Sequence, residues 1–307
     1  MGQGVFTVLL NTSIVSSILW HKALRSAKVF TIIAAQLASD ALHGAGFIAA
    51  ALYRLPLWLW QDAYECVPAR QCLSAPHMAL WFFRLSSSLM VIVISVDRTL
   101  SVVKPIYYRE LTRRYSLGVT FACAFAPTLV LFLAIYSYEW LTNERDVQVV
   151  CYQAEVLHYS CTTIYVVCAN SFLASLALYL LIPWLGRRQS SRQGQSKNHP
   201  RPRSASSVAA VRTLDRVIAL TCLSTGLFAL PYALFLTMTT INEMAPKMQM
   251  RLKWGVWVVI CENLNIMLNP LIYYLRQRHI RQGLHAMLRG RELPPVLKMW
   301  RNANGCL

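Results

Sequence analysis

Residues 76–99 read PHMALWFFRLSSSLMVIVISVDRT, an apolar run broken by the single charge of Arg84 and closed by the acid–base pair Asp97-Arg98. A helix of about 20 apolar residues spans the hydrocarbon of a bilayer, where no water is present to bond an open backbone. Working outward from this stretch, seven such blocks can be marked, at about 3–20, 29–53, 76–99, 115–137, 159–185, 213–240 and 252–275. The composition agrees. Of 307 residues 56% are hydrophobic and only 14% charged, against about 25% charged in an ordinary soluble domain. The sequence thus reads as an all-α membrane protein with a seven-transmembrane helix bundle over 1–275. The net charge of +17 does not mark a nucleic-acid partner, because the basic residues lie between the apolar blocks.

Their distribution sets an orientation. The segments 21–28, 100–116, 186–216 and 275–307 together hold 22 Lys and Arg, and the opposite connections hold six: Arg54, Arg70, Arg145, Lys247, Arg251 and Lys253. Basic residues stay on the cytoplasmic side, so the N-terminus is expected outside a plasma membrane and the C-terminus in the cytosol. Asp62, Glu65, Glu139, Glu144, Asp146, Glu155 and Glu243 then fall in outer loops. The stretch 186–211, rich in Ser, Arg and Pro, reads as a flexible basic third cytoplasmic loop. Past the last block, residues 276–290 place apolar side chains at i, i+4, i+7 and i+8 with arginines opposite, the pattern of a short amphipathic helix on the inner leaflet. Residues 291–307 form a cytoplasmic tail.

Four short motifs sit in four blocks. Ser95-Val96-Asp97-Arg98-Thr99 ends the third and is followed by Lys104-Pro105-Ile106-Tyr107-Tyr108. The seventh carries Asn265-Ile266-Met267-Leu268-Asn269-Pro270-Leu271-Ile272-Tyr273, the second Leu37-Ala38-Ser39-Asp40, and the first Leu10-Asn11. Together they resemble the rhodopsin-like (class A) G-protein-coupled receptors, whose DR(Y), NPxxY and LAxxD boxes and first-helix Asn they match in order. The resemblance covers nearly the whole chain. It implies a receptor that passes an extracellular ligand signal to a heterotrimeric G protein and to arrestin, divergent enough to be an orphan or a chemosensory type.

The resemblance also implies roles for individual residues. Asp97, Arg98, Pro231, Asn269, Pro270 and Tyr273 would form the activation switch. An Asp97 carboxylate beside the Arg98 guanidinium neutralises a charge that is costly at the membrane edge, and re-aiming the pair biases two helix packings. Pro270 removes a helical hydrogen bond and bends the seventh helix. Asp40 in mid-membrane needs partners. By analogy these are Asn11, Ser87, Asn265, Asn269 and water, with a sodium ion. No other metal or cofactor is implied.

The chain also departs from the family. Thr99 replaces the Tyr of the DR(Y) box, and Ala229 replaces the toggle Trp in Phe228-Ala229-Leu230-Pro231. Thr225 stands where a Phe is usual, Ser171 where the fifth helix has its proline, and the fourth helix lacks Trp. Only ten residues precede Asn11, about 15 Å of helix, so an upstream segment is expected.

The family's disulfide would join Cys72 to Cys151, with Cys66 and Cys161 as competing cysteines. Arg84 and Glu262 are mid-helix charges, and in lipid such charges default to a functional reading. Arg84 lies 14 residues from Arg98 and Glu262 11 from Tyr273, roughly 21 and 16 Å of helix, so both fall at one depth of an outer cavity. They read either as a pair divided by a ligand or as a permanent structural salt bridge. Tyr232 and Trp257 complete the tentative pocket. An intramembrane enzyme would want HExxH or GxSxG spacing, which the sequence lacks, and the reading is of a non-enzyme. A seven-helix transporter would favour repeated halves, which are also missing. It remains the alternative, beside a non-signalling pseudo-receptor.

Overall fold

The structure is a computed structural model that describes residues 2–59, 65–73, 79–144, 146–148, 163–164, 166–178, 181, 260, 263–275 and 277–291. The sixth block with Pro231 and Tyr232, the loop 186–211, the tail 292–307, Cys151, Trp257 and Glu262 lie outside the described residues.

Helix α1 (Gly2–Trp20) is followed by a short α2 (Lys22–Arg25) and by α3 (Lys28–Leu59). The second block is expected over 29–53; α3 runs six residues further, carrying Pro56 in its last turn. After α4 (Ala69–Leu73) come α5 (Ala79–Val103), α6 (Pro105–Glu110) and α7 (Arg113–Thr120). A π-helical turn at Phe121–Phe125 joins α7 to α8 (Ala126–Thr142). Pro127 accounts for that turn: its ring crowds the carbonyl four residues earlier and it offers no N–H, so the ladder widens locally. Further on lie α9 (Val166–Leu178), α10 (263–275) and α11 (Arg278–Leu288).

Among the described residues four spans are long and apolar enough to cross a bilayer: Gly2–Trp20, Lys28–Leu57, Ala79–Ser101 and Arg113–Thr142. Their surfaces are apolar outward. Phe6, Leu9, Phe121, Val130 and Leu141 are exposed, while Thr7, Asn11, Ser17, Asp40, Ser95 and Thr128 are buried. That inversion suits lipid, where outward apolar side chains cost nothing and polar groups must find partners inside.

Helix α3 packs between α1 and α5, and α5 also contacts α8 and the π turn. One end of the bundle is closed by Ala69, Cys72, Leu73, Trp81, Leu85, Ile135 and Ile164. The other is closed by Ile14, Ile18, Leu24, Phe30, Leu37, Tyr273 and Ile280.

Two features were not anticipated. Strands β1 (Cys66–Pro68) and β2 (Asp146–Gln148) pair antiparallel, with Val67 opposite Val147, so the chain is not wholly helical. Three-residue strands leave too little alternation to be read from sequence. Glu139, assigned above to an outer loop, lies instead on α8, fully buried and accepting a hydrogen bond from Asn143 Nδ2 at 3.2 Å.

Candidate functional site

Three levels of polar side chains are stacked along the face of α3 that meets α5. The middle level is built on Asp40, fully buried. Its carboxylate accepts from the Ser87 hydroxyl at 2.5 Å and from Asn269 Nδ2 at 3.3 Å, tying α3 to α5 and α10. Two of its expected partners are therefore in place. Asn11 is buried but is spent on its own helix, donating to the Thr7 carbonyl at 2.8 Å. Asn265 is buried one turn from Asn269.

At the Arg98 end, Asp97 and Arg98 are both buried and 3.2 Å apart. The Tyr108 hydroxyl donates to the same Asp97 oxygen at 2.9 Å, so α6 is fastened to the end of α5. Burial, reinforced by the Asp97 carboxylate and opposed by the Arg98 guanidinium, pushes the Tyr108 phenol well above its ordinary value and keeps it a donor. Lys28 completes the arrangement from α3. Its ammonium donates to the Tyr108 carbonyl and, at 3.1 Å, to that of Leu111, and lies 3.9 Å from the centre of the Tyr108 ring. A cation is favourable there because those carbonyls end α6.

Tyr273 is fully buried on α10 among Ile14, Ile18, Leu37 and Ile280, and Pro270 is buried one turn earlier. Toward the end that carries β1 and β2, Arg84 is buried with its guanidinium 4.7 Å from the centre of the Trp81 ring. His43, on α3 at the level of Arg84, is also fully buried, with its ring 5.0 Å from that of Phe47. Sequence reasoning passed over His43, Lys28 and the role of Tyr108. His43 lies three residues beyond Asp40 in an apolar helix, which places both on one face, and that spacing was the available signal. Lys28 had been read only as a loop charge.

Cys72 is disulfide-bonded, while Cys66, Cys123 and Cys168 are free thiols. Cys66 is thereby excluded as its partner, which lies outside the described residues. Among the described residues no three His, Cys, Asp or Glu side chains gather as a metal site.

An Asp–Arg pair at one end of a long apolar helix, a buried Asp on the preceding span bonded to the Asn of an Asn-Pro step in α10, and a disulfide-bonded cysteine on α4 at the far end fit one receptor architecture. The model of the 7 transmembrane receptor (rhodopsin family) matches residues 10–273. The chain belongs to that family. It is a multi-pass membrane protein of a family whose members are signalling receptors rather than enzymes, and seven membrane helices are the family's architecture. No curated protein matches the sequence.

Proposed function

We propose that this receptor binds a ligand from outside the cell and passes the signal to a heterotrimeric G protein at a cytosolic cleft around Arg98, with arrestin as a second partner. In this reading the end that carries β1 and β2 faces outward from a plasma membrane and the Arg98 end faces the cytosol. The basic residues of 104–114 and 186–216, with Arg276 and Arg278, frame the cleft. The observation that carries the reading is the two-sided hold on Asp97, with Arg98 on one side and Tyr108 on the other. A buried charge pair shared with a loop helix can be held or released as that helix moves, which is what a switch requires. With neither the toggle Trp nor the fifth-helix proline, the relay to this pair runs through Asp40, Asn269 and Tyr273.

Asp40, the Ser87 hydroxyl and the Asn269 amide oxygen, which makes no hydrogen bond, form an all-oxygen donor set that suits a hard cation. These residues would hold a sodium ion, which would supply positive charge to steady the carboxylate. Helix α11, amphipathic and docked by Ile280 and Gly283, would lie on the inner leaflet.

The test is Arg98→Ala, assayed for second-messenger output at matched surface expression. Loss of basal and stimulated output is expected; intact output removes the switch role from Arg98.

A further inference from the structure

We propose that the level one turn above Asp40, between His43 and Arg84, takes the carboxylate of a small organic acid with an apolar body. The proposal deepens the receptor reading above by naming the class of its ligand.

The register of α3 against α5 locates the site. The Ser87–Asp40 hydrogen bond fixes those two residues at one level. Three residues toward the end that carries β1 and β2 from each lie His43 on α3 and Arg84 on α5, about 4.5 Å further along both helices. With α3 packed on α5, that register brings the two residues to one level of the interface. Both are buried in the span, and neither ring nitrogen of His43 has a hydrogen-bond partner.

An imidazole with no partner is costly away from water. It always presents at least one N–H, so the group it lacks is an acceptor. Beside it, a guanidinium fork matches the two oxygens of a carboxylate. Arg84 has an interaction of its own in the free receptor, so a ligand carboxylate exchanges with that group rather than meeting a bare charge. A monoanion suits this exchange; a dianion would bring a second charge that one guanidinium cannot offset in a dry site.

The surroundings specify the rest of the molecule. Phe47 flanks the His43 ring and Trp81 flanks Arg84. Beside Trp81 is a small apolar gap of about 10 Å³, the room of about one water, lined by Leu85, Phe132, Ile135, Tyr136 and Ile164, so an apolar body would enter there only as those side chains part. Apart from the His43–Arg84 pair, these neighbours offer apolar and aromatic surface.

The test uses the full-length receptor purified in detergent, with phenylacetate as probe and the neutral isostere phenylacetamide as control, each read as a shift in thermal midpoint. Phenylacetate at millimolar concentration raises the midpoint and phenylacetamide does not. Arg84→Lys and His43→Phe each weaken the apparent Kd for phenylacetate about tenfold. His43→Phe is the variant that keeps the fold, because no hydrogen bond is lost with the ring nitrogens. Absence of a phenylacetate shift, equal shifts with both compounds, or an unchanged Kd in both variants overturns the site. Binding is read here without a G protein, so a receptor that binds phenylacetate and fails to signal loses only the functional reading. One that signals without binding it loses only the site.

Discussion

His21 and Gly283, 262 residues apart, are joined by a 2.8 Å hydrogen bond from the imidazole Nε2 to the glycine carbonyl. Gly283 sits so close to α1 and α2 that a Cβ on it would fall 2.8 Å from Leu24 Cδ1 and 2.9 Å from Ser17 Oγ. In an unencumbered helix Gly→Ala is stabilising by about 1 kcal/mol; here overpacking, at about 1–3 kcal/mol, has the opposite sign and wins. Gly283→Ala is therefore expected to lower the thermal midpoint and speed amide exchange across 278–288. A raised midpoint would show that α11 is not held at this contact.

The end of α11 shows how far sequence alone reaches. The 276–290 expectation is close to the observed Arg278–Leu288 because Gly290, at φ +61°, closes the helix: its N–H bonds to Met287 and that of Arg291 to Ala286. The four described spans were legible for the same reason, since length and apolar run are local properties. Asp40 and Asn269 were legible as partners because motifs carry them, and Ser87 only through the family resemblance. His43 and Lys28 were not, because their importance comes from the register of α3 against α5 and α6, which no single stretch encodes. Asn11 was assigned to the Asp40 group by analogy, whereas its amide nitrogen donates to the Thr7 carbonyl of its own helix, a local bond that the motif does not encode.

Gln36 lies one turn from Asp40 on α3, fully buried, with neither its amide oxygen nor its nitrogen hydrogen-bonded. An amide left in that condition costs about 1–3 kcal/mol on mutational scales. Gln36→Leu keeps the volume and removes the polar atoms, so the thermal midpoint of the purified receptor should rise. A fall of similar size would mean that the amide is satisfied, by water or by another conformation of the bundle.

Tyr108→Phe deletes the bond to Asp97 and leaves the Asp97–Arg98 pair in place. Hydrogen bonds to charged groups are worth about 1.5–3 kcal/mol, so a loss near the lower figure is expected, with higher basal output as α6 loosens. The phenol titrates higher folded than unfolded. The folded state therefore holds its proton longer, and the stabilisation is complete below the ordinary tyrosine value of about 10 and declines as pH rises past it. Wild type should lose stability between roughly pH 9.5 and 11 more steeply than Tyr108→Phe. Parallel curves would show that Tyr108 contributes nothing to the alkaline slope.

Lys28 and Tyr108 act on α6 from opposite ends of one side chain–backbone unit: the ammonium holds the Tyr108 carbonyl and covers its ring, and the hydroxyl reaches Asp97. Lys28→Met retains the apolar stem and removes the donor at the end of α6, a loss of about 1 kcal/mol for a half-exposed cation at a helix C-terminus. If Lys28 works by holding Tyr108 in reach of Asp97, the two substitutions share an effect, and the double variant should fall short of the sum by at least about 0.5 kcal/mol. Thermal midpoints and basal output of the two single variants and the double variant make that comparison. Strict additivity in both readouts would mean that Lys28 stabilises α6 independently and does not position the Tyr108 hydroxyl.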